Sequence, residues 1–318
     1  MAFAVLTDTS GNLPKALTDE RNIGIIPFVY TMDGRDYTCL EIETFDGAAF
    51  YQKMKEGQVV TTTQISPQQY MDFFRPSLEE GLDVIFISMS SGISGSYNSS
   101  HIAAQMLAEE FPERRVAVID TRGAALGEGL VALRAADCRD QGLSFAETVE
   151  RMEKLSRRMC NVFTVDDLMF LRRGGRLSKL AAVEGTLLNI KPLLKGDENG
   201  RIVAFAKLRG RKKSIEALAE RYEALAVDPE EQVIGVVNAA CQADADRLIE
   251  LLKRNRPPRE IISVGYEPVT GCHVGPGALA LFFEGPDDVR TALDDRRSAL
   301  DEVRSAIGSV KSVLGRQE

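Results

Sequence analysis

The run Asp83-Val-Ile-Phe-Ile-Ser88, followed by Met89-Ser-Ser-Gly-Ile-Ser-Gly-Ser-Tyr-Asn-Ser-Ser-His101, constrains the fold more than any other part of the chain. Val84–Ile87 is a short apolar run of strand type. Gly92 and Gly95 break regular structure and let the backbone approach a ligand closely. Ser94, Ser96 and Ser99 gather where a helix through Ile102, Met106 and Leu107 should begin. Serine is a favoured N-cap, and a helix N-terminus offers free N–H groups and a positive dipole end, which together suit an anion. The segment has no lysine and no G-x-x-x-x-G-K-[ST], so it is not a P-loop. Read alone, it fits a plain serine-capped turn equally well, because such turns recur throughout α/β folds.

Strands and helices alternate on either side of it. Phe3–Leu6, Ile23–Val29, Val84–Ser88 and Val116–Ile119 read as strands. Phe45–Lys55, Pro67–Leu78, Ser96–Glu110 and Leu126–Gln141 read as helices, and a further helix is expected over Phe145–Met159. This order predicts an α/β fold with a mainly parallel sheet in the first half. Several strands end in small polar residues: Thr7-Asp-Thr-Ser10, Thr61-Thr-Thr-Gln64, Ser88-Met-Ser-Ser91 and Asp120-Thr121. Ligands of open α/β sheets lie beyond the carboxyl ends of the strands, so these hydroxyls are expected at one crevice.

The second half reads as another α/β unit. Asp197–Arg201 is expected as a turn between strands Ile190–Leu194 and Ile202–Leu208. Strands at Gln232–Asn238 and Glu260–Gly265 flank a helix over Ala243–Arg254. Gly271-Cys-His-Val-Gly-Pro-Gly277 reads as a glycine-rich turn before an apolar strand. The expected division is an N-terminal domain over 1–160, a second domain over 161–285 and a C-terminal helical extension over 286–318. In that extension Val289, Leu293, Leu300, Val303, Ile307, Val310 and Leu314 step by three or four, apart from Arg296 in one core slot. So narrow a seam suits packing on its own domain or a homodimer contact.

The chain has 318 residues, 27% charged and 44% hydrophobic, with a net charge of −8. That charge argues against a general nucleic-acid binder. No apolar run is long enough for a membrane span, and the N-terminus lacks the basic flank of a signal peptide. Cys39, Cys138, Cys160, Cys241 and Cys272 are scattered, which suggests reduced thiols and a cytoplasmic location. Histidine occurs only as His101 and His273, and no His/Cys/carboxylate cluster has metal-ligand spacing, so no bound metal is expected.

Three groups of side chains carry candidate chemistry. Thr62, Thr63, Ser94 and Ser96 could donate hydrogen bonds to a carboxylate or phosphate. Arg172, Arg173 and Arg176 flank Gly174-Gly175, and Arg209, Arg211, Lys212 and Lys213 form a second basic block. Guanidinium groups bind such anions bidentately, although a solvated loop charge is the plainer reading. His273 lies between Gly271 and Gly275 in what reads as a permissive loop, beside Cys272.

In this order the motifs resemble the DegV family. They are Thr7-Asp-Thr-Ser10, Thr62-Thr-Gln-Ile-Ser66, Ser90-Ser-Gly-Ile-Ser-Gly-Ser-Tyr97, Leu171-Arg-Arg-Gly-Gly-Arg176, Ile190-Lys-Pro192, Lys207-Leu-Arg-Gly-Arg-Lys-Lys213 and His273-Val-Gly-Pro-Gly277. The resemblance covers residues 3 to 283. It departs at Thr63 and Ile65, where the family usually has Ser and Pro, at Ser96 for Thr, and at Thr121 for Ser. Both hydroxyl swaps beside the anion site keep a donor. The resemblance implies a two-domain α/β protein that holds a long-chain fatty acid between its domains. Thr62 and Ser94 would hold the carboxylate, with Thr63, Gly95, Ser96 and His273 around it. Arg173, Arg176 and Arg209 would handle phosphate or dock a fatty acid kinase catalytic subunit. That partner would bring ATP and magnesium and form the acyl phosphate. This chain would then be a substrate carrier, without catalytic residues, cofactor or membrane insertion of its own. Two other readings compete: a serine- or cysteine-dependent hydrolase or acyltransferase using Ser94 or Cys272, and a lipid transport or sensing module whose C-terminal helix binds another partner.

Overall fold

The structure, a computed structural model, describes residues 3–177, 190–287, 289 and 290. In chain order the first half contains β1 (Phe3–Asp8), α1 (Lys15–Glu20), β2 (Ile23–Ile26), β3 (Val29–Met32), β4 (Arg35–Tyr37), α2 (Gly47–Lys55), β5 (Val60–Thr63), α3 (Pro67–Glu79), β6 (Asp83–Ser88), α4 (Ser96–Glu110), β7 (Val116–Asp120), α5 (Leu126–Asp140) and α6 (Phe145–Arg158). The second half contains β8 (Met159–Thr164), α7 (Met169–Arg173), β9 (Ile190–Gly196), β10 (Ile202–Arg209), α8 (Arg211–Leu225), β11 (Val233–Asn238), α9 (Gln242–Asn255), β12 (Glu260–Gly265), α10 (Pro268–Val274) and β13 (Leu279–Glu284).

β6 is buried along its whole length, the pattern of a central parallel strand covered on both faces. It pairs in parallel with β1 and β7, and β2 completes a four-stranded sheet in the order β2-β1-β6-β7. Two of the described helices open on capping boxes, whereas α4 has Gly95 at its N-cap and no side-chain cap of the expected serine kind. Ser66 and Gln69 form a capping box ahead of Pro67 in the first turn of α3, and Ser144 and Glu147 do the same for α6.

The expected strand Ile23–Val29 is in fact two strands. Pro27 lacks the N–H needed to continue a ladder, and Val29 begins a separate antiparallel sheet, β4-β3-β5. Its hairpin turns at Asp33-Gly34, both at positive φ (53° and 70°), as a two-residue primed turn requires. Thr62 therefore sits on an antiparallel strand opposite Tyr30, not at the carboxyl edge of the parallel sheet. A second correction concerns Met159. The α6 helix stops at Arg158, and Met159 opens β8, a fully buried strand.

β8 belongs to a six-stranded mixed sheet, β10-β9-β8-β13-β11-β12, in which only β11 and β12 are parallel neighbours. The two larger sheets share one apolar core. It runs from Phe3, Val5 and Phe86 of the first sheet through Leu126 and Leu130 of α5 to Phe163 and Phe282 of the second. Small residues let α5 approach closely: a Cβ on Gly129 would overlap the Gly11 carbonyl, and one on Gly127 would overlap the Asn161 side chain. Among the described residues no helix is long and apolar enough to cross a membrane. The expected helical extension lies outside the described residues apart from its first residues, 286, 287, 289 and 290.

Candidate functional site

A cavity lies between the two halves and encloses about 950 Å³ of empty space, counting its open mouth. At one end β5 supplies Thr62 and Thr63, and the β6–α4 turn supplies Ser94 and Gly95. Arg176, just after α7, and Thr270 and His273 of α10 face them from the second half.

The link between the halves at this end is direct. Thr62 Oγ1 and His273 Nε2 are 3.0 Å apart. Burial, helped by the Arg176 cation, pushes the His273 pKa down to about 4, so the ring is neutral at pH 7. With its proton on Nε2, the imidazole donates to Thr62 and leaves the threonine hydroxyl hydrogen free for a ligand oxygen. Ser94 has the same freedom. Its Oγ accepts the Ser96 N–H at 3.2 Å, which leaves its own hydrogen to donate. Arg176 is anchored through Nε to the Ile93 carbonyl at 3.2 Å and through Nη1 to Gly174. Two neutral hydroxyls, a neutral imidazole and a nearby cation suit one small anionic group.

Close approach rather than unusual φ explains the glycines here. A Cβ on Gly95 would overlap Gln64, whose Nε2 donates to Ser99 at 2.6 Å. A Cβ on Gly174 would overlap His273 Nδ1. Contrary to the loop expectation, His273 lies in the last turn of a helix. Glu267 caps that helix, accepting from Val269 N at 2.6 Å and Thr270 N at 2.5 Å. The cap thereby fixes where Thr270 and His273 point. Burial pushes Glu267 up to about 7, against the pull of those donors.

The other end is apolar. Its walls include Phe163 of β8, Phe282 of β13, and Ala124 and Ala125 ahead of α5. Phe282 pairs with Asn161 of β8, three residues along from Leu279, where α10 feeds into the strand. At about 3.3 Å per residue, Phe282 lies about 10 Å along β13 from Leu279. Asn161 and Arg122 are polar exceptions in the lining; Asn161 is buried, and its Oδ1 has no partner.

Residues 2–285 match the model of a family described as uncharacterised DegV proteins. The chain belongs to the DegV family. A DegV domain-containing protein of Clostridium perfringens is 35% identical over 283 residues, covering 89% of this chain and 97% of that protein. A DegV structure from Thermus thermophilus, described as binding fatty acid, aligns with a TM-score of 0.81 and 31% identity, covering 90% of this chain and all of the other. The Bacillus subtilis DegV structure, described as a fatty acid binding protein, aligns at 0.76 and 31% with the same coverage. Structures of the DegV family thus bind fatty acids, and this chain has their mixed α/β fold.

Within this DegV chain, Thr62, Thr63, Ser94, Gly95, Arg176 and His273 meet at one cavity. Ser96 does not line it: it is fully buried, with its hydroxyl beside that of Tyr70. Arg173 is exposed and lies over the Phe170 ring, 4.7 Å from its centroid. Arg209 is exposed on β10 opposite Ile190. Thr7, Asp8 and Ser10, expected at the crevice, instead bond inward. Ser10 Oγ donates to Glu128 Oε2 at 2.7 Å, and Thr7 Oγ1 lies 3.0 Å from Glu128 Oε1. Burial raises Asp8 to about 6, and burial together with the Asp8 charge raises Glu128 well above its usual range, so the pair favours holding a proton. Thr270 and Asn161 are lining residues that sequence reasoning missed. The Glu267-Pro268 pair was a readable cap signal for Thr270. Asn161 had none, because β8 itself went unseen.

Proposed function

We propose that the chain binds a long-chain fatty acid, with its carboxylate at Thr62, Ser94 and His273 and its acyl chain along Phe163 and Phe282. The observation that carries this reading is the polarity of one continuous cavity: free hydroxyl donors at one end and an aromatic and alanine wall at the other. Relatives of the same fold, above 30% identity, are described as fatty acid binding. An apolar wall favours the acyl chain by about 0.8 kcal/mol per buried methylene.

The bound acid is then presented to a separate fatty acid kinase catalytic subunit. There a carboxylate oxygen attacks the γ-phosphorus of ATP, the bond to the bridging oxygen breaks, and acyl phosphate and ADP form. Arg176, beside the carboxylate end, offsets the charge building on the transferred group. The exposed Arg173 and Arg209 serve as docking cations. The chain itself acts as carrier and works in the cytoplasm without a resident cofactor. The hydrolase alternative is less well supported. Cys272 is buried, its Sγ donates to Val269 O at 3.3 Å, and burial pushes its pKa up to about 12, the opposite of an activated thiol.

Native mass spectrometry with organic extraction tests the binding step. The expected result is one long-chain acid per chain; a ligand-free protein that refuses added palmitate and oleate overturns it. Adding the catalytic subunit with ATP and magnesium tests the presentation step. Acyl phosphate should appear only when both proteins are present.

A further inference from the structure

The part of the chain shared with the family ends at residue 285, yet the residues that follow re-enter the interior. Val289 and Arg290 are 4% and 8% exposed. Arg290 donates only to main-chain carbonyls in the hydrogen bonds described. Nη1 reaches Arg122 O at 2.7 Å and Asp197 O at 3.2 Å; Nη2 reaches Met159 O at 3.0 Å, Ser156 O at 3.1 Å and Thr121 O at 3.5 Å. A buried cation is costly unless its donors are used. These carbonyls come from three places: the loop after β7, the α6–β8 junction and the β9–β10 turn.

The first of those places matters for the ligand. Residues Arg122 to Ala125 line the cavity. Arg122 and Ala125 both hold positive φ, 52° and 53°, which non-glycine residues adopt at a cost and keep only when surrounding contacts enforce it. Arg290 supplies such contacts. Gly196, another lining residue, packs against the same guanidinium: a Cβ there would stand 3.2 Å from Nη1.

We propose that Arg290 is a positioning residue for the ligand: by clamping the carbonyls of Thr121 and Arg122, it holds the 121–125 loop against Asn161 and Phe282 and so sets the apolar end of the cavity. A segment beyond the family's common extent thereby governs which acyl lengths fit. This inference rests on the fatty acid reading above.

The test uses full-length, delipidated Arg290→Lys and Arg290→Ala, with Thr62→Ala as the control. Dissociation constants are measured for dodecanoic through octadecanoic acid, alongside hydrogen exchange at residues 121–125. Lysine keeps the charge but not the planar fork. In both Arg290 variants octadecanoic acid should bind about tenfold more weakly and dodecanoic acid less than about threefold more weakly, while loop exchange accelerates. Thr62→Ala should weaken every length equally. General destabilisation would not tilt the length profile in this way. If Arg290→Ala fails to fold, Arg290→Lys decides. A Lys variant with the wild-type length profile overturns the proposal. If the wild type refuses every acid, the fatty acid reading fails instead, and unchanged exchange at 121–125 then overturns the clamp itself.

Discussion

The two ends of the cavity are built in different ways. The polar end is gathered from four separate segments, β5, the β6–α4 turn, the turn after α7 and α10. It is held by caps, by Gly95 and Gly174 and by hydrogen bonds between the halves, Thr62 with His273 and Arg176 with Ile93. The apolar end sits on two paired strands, β8 and β13, and on the start of α5 inside the shared core. The first end can change chemistry at little cost to folding, whereas the second cannot change shape without loosening the core.

The sharpest way to break that contrast is Phe282→Ala. Phe282 is 4% exposed, and removing such a ring costs about 3–5 kcal/mol. Urea denaturation should show that loss; a loss under about 1 kcal/mol would mean the wall is not core. Thr62→Ala and Ser94→Ala should do the reverse. Each removes one hydrogen bond to a charged group, worth about 1.5–3 kcal/mol, or about tenfold to a hundredfold in affinity. The Ser94→Ala midpoint should stay near wild type, while Thr62→Ala also gives up its bond to His273, at about 1 kcal/mol of stability. Equal loss of stability and affinity would erase the distinction between the ends.

A smaller effect separates the cap beneath the polar end from the ligand contacts. Glu267 titrates near 7 in the folded chain, against an ordinary 4.5. Between those values the folded protein keeps a proton that the unfolded chain has lost. The stability this contributes is complete below pH 4.5 and is lost as pH rises through 7. His273 runs the other way: with its folded value near 4 against 6.5, stability falls as pH drops through that window. Comparing wild type with Glu267→Gln in urea from pH 5 to 8 isolates the first term. The stability difference should shift against the wild type as pH rises, and a flat difference would show that Glu267 stays ionised. The smallest expected effect belongs to Cys272→Ala, which should change fatty acid affinity less than about twofold. In the folded protein the Cys272 thiol should resist iodoacetamide at neutral pH.

The polar end was largely legible in the sequence because its residues carry local signals. Ser94 precedes a helix, and Thr62 and His273 lie in compact motifs. Sequence could not separate Arg176 from Arg173 and Arg209, since all three have the same chemistry. What distinguishes them is which way a turn and an edge strand face. The fold was legible where one apolar run made one strand, as at β6. It was not where α6 hands directly to β8 at Met159, with no turn residue to mark the change. Asn161 and Phe163 stayed hidden with that strand. Gly271 and Gly275 suggested a loop at His273, but Glu267 and Pro268 start a helix firmly enough to carry it through Gly271.

The close seating of α5 has a consequence for how a guest could enter. Gly129 presses on Gly11, Gly127 on Asn161 and Leu126 on Gly235, so one helix is wedged into both sheets. Swinging the halves apart like a clamshell would strip that helix of its packing on one side. A guest that loads through small local breathing at the rim leaves this packing intact, and its residence time is then a property of a few turns rather than of the whole molecule.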